Sequence, residues 1–273
     1  MTPRARMAIA AVVAMAVAVF LGTALVLDDP RWVRLVFDAG GWAGSLFGAF
    51  GTVAAARTFA RGDYLRRVWT LIAAGAALLL AGHAVRSIWG YAMPDVAFND
   101  SPLVYPRFFI VTAANVCGVW GLALLAYSYA HSGIEVPRSA AFNAAWLAVS
   151  AVAAALVVHQ LRLDVGGVDS VHKFFLKLTN IVSTLADAAS FVLIAPVLRV
   201  AYLMRGGRLA GAWLTVGLSY GLWLIYDCKT WIAMPLPFDP AHVLSLVQTV
   251  RIPALALVGL AGLLHREAVT ARA

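Results

Sequence analysis

RGDYLRRVWTLIAAGAALLLAGHAVRSIWGY, residues 61–91, is the stretch on which the fold turns. It opens with Arg61, Arg66 and Arg67, runs through an apolar segment, and carries His83 and Arg86 near its far end. A helix needs about 20 mainly apolar residues to cross the hydrocarbon core of a bilayer. The window 67–91 is long enough. Its apolar residues do not alternate with polar ones, so a membrane helix is predicted rather than a barrel strand.

Working outward, the same pattern recurs along the chain. Qualifying windows fall at roughly 7–27, 41–60, 67–91, 105–130, 140–162, 174–199, 210–233 and 243–264. The second is rich in glycine (Gly40, Gly41, Gly44, Gly48, Gly51), which lets neighbouring membrane helices approach closely. Of the 273 residues, 62% are hydrophobic and 12% are charged. Soluble domains have about 25% charged residues, so lipid is the expected solvent. The first run is too long for a signal-peptide core of about 7–15 residues and reads as a signal-anchor helix.

The connections sort by charge. One set carries Arg4 and Arg6, then Arg57, Arg61, Arg66 and Arg67, then His131 and Arg138, then Arg199, Arg205 and Arg208, and finally Arg266 and Arg272. The alternate set carries Asp28 and Asp29, Asp95 and Asp100, Asp164 and Asp169, and Asp239. Basic loops stay cytoplasmic. Eight transmembrane helices with both termini cytoplasmic are therefore expected. The net charge of +8 lies at span ends, with no basic stripe of the kind that binds nucleic acid.

An internal match divides the chain. Arg61, Gly62, Leu65 and Trp69 recur as Arg205, Gly206, Leu209 and Trp213 at an offset of 144 residues. The same offset pairs Arg107 with Arg251 and His83 with Asp227. Ala92-Met93-Pro94 recurs as Ala233-Met234-Pro235. The expected architecture is all-α and integral to the membrane, a tandem 4+4 parallel repeat. Its halves are 1–136 and 137–273, joined near Val136-Pro137-Arg138.

Ionisable groups inside spans are costly and mark function by default. Asp187 lies mid-span. His83, Arg86, Asp227 and Lys229 lie late in outward-running spans. Arg107, Lys177 and Arg251 lie early in inward-running ones, as do the polar Asn115, Asn180 and Gln248. All fall in the outer half. The bases outnumber the acids, and arginine presents a fork matched to carboxylates and phosphates. A pocket for a small polar or anionic ligand is expected, formed by His83, Arg86, Arg107, Asp187, Asp227 and Arg251. The bland alternative is ion pairing between helices, Asp187 with Arg251 and Asp227 with Arg86.

No cofactor is expected. Haem held by His83 and His159 is the one alternative, because those histidines share a depth. Retinal on Lys229 is less favoured, since that lysine sits near a helix end. Cys117 and Cys228 read as apolar packing residues, with no metal set around them. No phosphate-binding loop, dinucleotide fingerprint, serine-hydrolase elbow or zinc-protease motif is present, so no enzyme is expected.

Two stretches carry a family likeness. Ala54 to Trp89 runs basic loop, Trp69, apolar span and Gly82-His83, then a proline-containing outer loop and a span ending near Tyr129. Asp187 to Asp227 contains Pro196, Arg205-Gly206-Gly207, Trp213 and Tyr226-Asp227. Together, over about two thirds of the chain, these stretches resemble the multispan membrane regions N-terminal to bacterial diguanylate cyclases and histidine kinases. The resemblance implies a sensor-like protein of the bacterial inner membrane. Only about nine residues follow Leu264, so signalling is expected to pass to a cytoplasmic or membrane partner, with homo-oligomers allowed. A small secondary transporter and a structural or assembly subunit are the alternatives. Against transport stands the lack of matched mid-span helix breakers, since Pro196 and Pro253 have no counterparts in the first half.

Overall fold

The computed structural model describes residues 3–131, 139–203 and 208–270, and every regular element among them is helical. The expected repeat junction at Val136-Pro137-Arg138 lies outside the described residues, as do Arg205-Gly206-Gly207 and Arg272. The helices are α1 (Pro3–Leu25), α2 (Pro30–Ala56), α3 (Tyr64–Ala92), α4 (Val104–Ala130), α5 (Ala140–Val165), α6 (Val171–Leu203), α7 (Arg208–Asp227), α8 (Lys229–Ala233), α9 (Pro240–Gln248) and α10 (Arg251–Thr270). A 3-10 turn at Phe98–Asp100 precedes α4.

Seven segments are long and apolar enough to cross a membrane: α1, α3, α4, α5, α6, α7 and the stretch Pro240–Thr270. The chain is a multispan membrane protein. Helix α2 stands outside that set. It starts eleven residues before the predicted window 41–60, and its first turns carry Arg31, Arg34 and Asp38. Asp29 caps it, accepting from the Arg31 amide at 2.9 Å, with Pro30 in the first helical position. Asp63, Ser139 and Asp239 cap α3, α5 and α9 in the same way.

Two spans expected to be continuous are broken. The seventh is interrupted at Cys228, between α7 and α8. The eighth is interrupted at Thr249 and Val250, between α9 and α10. Pro253 explains the second break. A helical proline lacks the N–H that would bond four residues back, and its ring crowds that carbonyl, here Thr249. The chain tightens instead to three-residue bonds, Thr249 N–H to Leu246 O and Ile252 N–H to Thr249 O. The Thr249 hydroxyl also donates to Leu246 O at 2.6 Å.

Six helices close a ring in the order α2, α3, α4, α6, α7, α10, with α10 returning to α2. Helix α1 lies outside against α10 and α2, and α5 lies outside against α6. Large apolar side chains such as Phe50, Val116, Leu147 and Val192 face outward and are exposed. Small residues face inward, the pattern expected where lipid surrounds the protein. The α2–α10 contact is backbone to backbone: a Cβ on Gly51 would sit 2.1 Å from the Gly259 carbonyl oxygen.

The two ends of the ring differ. One carries the loops with Asp28, Asp95, Asp100, Asp169 and Asp239. The other carries Arg57, Arg61, Arg66 and Arg67. At this basic-loop end, Trp69 and Trp213 stack with ring centroids 6.0 Å apart. His265, 1% exposed, wedges against both. The Trp69 indole N–H donates to His265 Nδ1 at 2.6 Å. This cluster ties α3, α7 and α10 together. His265→Phe keeps a ring but removes the acceptor, and an orphaned buried donor costs about 1–3 kcal/mol. A lowered thermal unfolding midpoint in detergent is the expected result; an unchanged midpoint would show the bond contributes nothing.

Candidate functional site

A cavity of about 210 Å³ lies at the centre of the ring. All six sequence-predicted site residues line it: His83 and Arg86 from α3, Arg107 from α4, Asp187 from α6, Asp227 from α7 and Arg251 from α10. Lys229 at the start of α8 joins them, with Asn115, Gln160 and Asn180. A second, more superficial hollow of about 560 Å³ lies between the end of α1, the start of α2, the end of α3 and α9. It shares His83, Arg86 and Arg251 with the central cavity. Those three side chains form a neck between a vestibule at the acidic-loop end and the interior. Gln248 lines the vestibule. Lys177 lines neither space.

The helix-to-helix ion pairs of the alternative reading do not form. Among the described residues, no ion pair within 4 Å joins Asp187 to Arg251 or Asp227 to Arg86. The cations rest on ring faces instead. The guanidiniums of Arg86 and Arg107 lie 5.4 and 5.7 Å from the centroid of the buried Phe98 ring. The Arg251 guanidinium lies 5.5 Å from Phe37. Lys229 Nζ lies 4.3 Å above the Tyr226 ring and donates to the Tyr226 carbonyl oxygen at 3.4 Å. An aromatic face attracts a cation without occupying its N–H groups. The guanidinium forks keep donors for a ligand.

The neck is held by Asp38, a residue absent from the sequence-predicted set. His83 Nε2 lies 3.1 Å from the Asp38 carbonyl oxygen and 3.4 Å from its carboxylate. The Ser87 hydroxyl donates to Asp38 Oδ1, and the Tyr91 hydroxyl donates to Oδ2 at 3.2 Å. The Trp42 indole N–H donates to Ser87 Oγ at 3.1 Å. Gly41 makes room for this arrangement, since a Cβ there would meet the His83 ring at 2.2 Å. Asp38 was hidden because α2 was expected to begin after it. The Asp29-Pro30 pair, a capping residue followed by a first-turn proline, was the available signal.

His159 lies on α5, outside the ring, with its imidazole 6.1 Å from Trp231. It does not line the cavity that holds His83. Tyr220, Trp223 and Tyr226 do line it, and sequence reading passed over all three. At the acidic-loop end an exposed ion pair joins Lys173, in the first turn of α6, to Asp169 in the loop before it at 2.5 Å. Lys173 keeps the Asp169 carboxyl below its ordinary range. Comparison with protein-family models, with curated proteins and with solved structures found no match.

Proposed function

We propose that the chain is an eight-span protein of the bacterial inner membrane that binds a small anion in the central cavity and carries it across. One observation carries the reading: three guanidiniums and an ammonium converge on one cavity with ring faces, not carboxylates, as their partners. The vestibule offers an approach from the acidic-loop end, taken as the outer side because basic loops stay inside.

The count of eight rests on adding α2. Its 27 residues span about 40 Å at 1.5 Å per residue, and Leu46 and Phe50 are exposed on its outer surface. The order of the ring supports duplication. Exchanging α2 with α6, α3 with α7 and α4 with α10 leaves the cyclic order unchanged, and α5 packs on α6 as α1 packs on α2. Trp69 and Trp213, matched in the sequence, meet face to face, and the matched Arg107 and Arg251 both reach the cavity. Substrate sites between related halves, beside interrupted helices, are a recurring transporter design. The break at Thr249–Val250 lies next to Arg251 and supplies such an interruption, though from one half only.

A sensor is the second reading, the one the sequence resemblance implied. The Trp69–His265–Trp213 cluster favours it by linking three ring helices at the basic-loop end, where a shift in packing would reach a partner. Such a shift requires different affinities for two packings. Purified protein in lipid nanodiscs, titrated calorimetrically with acetate, glutarate and inorganic phosphate, tests binding. Uptake of the tightest binder into reconstituted vesicles then tests transport. Binding with uptake is the expected result. Binding without uptake would move the site to the sensor reading, and no binding of any anion would reject both.

A further inference from the structure

The anion reading accounts for the cations but leaves Asp187 and Asp227 unexplained. They are only 6% and 8% exposed, come from α6 and α7, and both line the cavity. Their carboxyl groups face one another closely enough to share one proton, and the Ser183 hydroxyl donates to Asp227. Oδ2 of each still has no partner. None of the cavity's cations lies within ion-pair distance of either. Lys229 is near Asp227, but its ammonium faces the Tyr226 ring and carbonyl.

With one proton shared between them the pair keeps a negative charge, and its remaining oxygens only accept hydrogen bonds. Two buried carboxyls that line a cavity, with no cation of the chain paired to them, call for a cationic donor from outside the chain. Among the described residues no group of three or more metal-ligating side chains exists to make a metal that donor's substitute. A cavity of about 210 Å³ sets the ligand's size as small.

We propose that the ligand is a small zwitterion, such as an amino acid or an aminoalkyl phosphate. Its acid group docks on Arg86, Arg107 and Arg251, and its primary ammonium donates to the carboxyl groups of Asp187 and Asp227. This rests on the anion reading and adds a second pole to the same site. The three N–H bonds of an ammonium suit two adjacent carboxyl oxygens with one donor to spare. Selectivity follows from the orphaned acceptors: a ligand with an acid and no amine leaves both oxygens unsatisfied.

The test uses matched pairs that differ only in the amine: glycine and acetate, glutamate and glutarate, phosphoethanolamine and ethyl phosphate. Each is titrated into the wild-type protein in nanodiscs, in two buffers of different ionisation heat. The expected result is that the amine member of at least one pair binds roughly tenfold tighter or more. Asp227→Asn is expected to erase that preference, so that the amine-free member binds at least as tightly as its amine partner; Asp187→Asn serves if the first variant does not fold. Equal or weaker binding by every amine member overturns the proposal and leaves the anion reading standing. In that case a buffer-dependent heat with the amine-free members would assign the Asp187–Asp227 pair to a proton instead. If no member of any pair binds, the anion reading falls and the zwitterion with it.

Discussion

Gly51→Leu is expected to abolish the folded protein. The Gly51 Cβ position lies 2.1 Å from the Gly259 carbonyl oxygen and 2.7 Å from its Cα. Gly259 and Gly262 are equally tight in return, 2.3 Å from Phe47 O and 2.4 Å from Gly51 O. No flexible side chain stands between the two backbones, so relief requires that α2 and α10 separate. Overpacking a core ordinarily costs about 1–3 kcal/mol, with larger costs where nothing repacks. Here α10 also forms the wall of the cavity through Arg251, Leu255 and Val258. Separation at Gly51 would open the ring. Size-exclusion chromatography of a fluorescent fusion in mild detergent should show loss of the monodisperse peak. Gly211→Ala and Gly221→Ala, where a Cβ meets nothing within 4 Å, should elute as wild type. A monodisperse Gly51→Leu protein of normal stability would show that this helix pair is not packed as described.

The second large effect concerns the cations. Arg107→Gln and Arg251→Gln should each weaken binding of the tightest anion by roughly 10- to 100-fold. A hydrogen bond to a charged group contributes about 1.5–3 kcal/mol, and about 1.4 kcal/mol is a factor of ten. The two arginines share one cavity, so the double variant need not show the product of the single effects. Arg162, exposed on α5 and lining neither space, should tolerate the same change. Calorimetric titration with glutarate and inorganic phosphate reads all four proteins. Unaltered affinity in the cavity variants would place the binding elsewhere.

Much of this was legible in the chain, for physical reasons. Each of the six site residues interrupts an apolar run, and an ionisable group in lipid is expensive enough to stand out. The loop charges predicted a common depth for them, and all six line one cavity. Their partners were not legible. Whether Arg251 meets Asp187 or the ring of Phe37 depends on helix rotation and on α2 starting at Pro30. Window hydropathy missed that start because Arg31, Arg34 and Asp38 break the apolar run. Tyr220, Trp223 and Tyr226 escaped because aromatic side chains are common in membrane helices for packing alone. Pro253 is visible in the sequence as a helix breaker. Its effect is local: it breaks its own helix at Thr249–Val250 and brings the start of α10 to the cavity edge.

An electropositive cavity entered from the acidic-loop end can be probed without knowing the ligand. Leu79 lines the cavity from α3. With Cys117 and Cys228 replaced by alanine, Leu79→Cys offers a thiol inside it. Its reaction is followed with two membrane-impermeant methanethiosulfonates, one bearing a sulfonate and one a trimethylammonium. A cleft lined by one sign of charge concentrates the opposite sign by about tenfold or more. The sulfonate reagent should therefore react roughly tenfold faster or more, and only when applied from the side that carries the Asp28 and Asp239 loops. Equal rates, a faster cationic reagent, or reaction only from the opposite side would contradict the account.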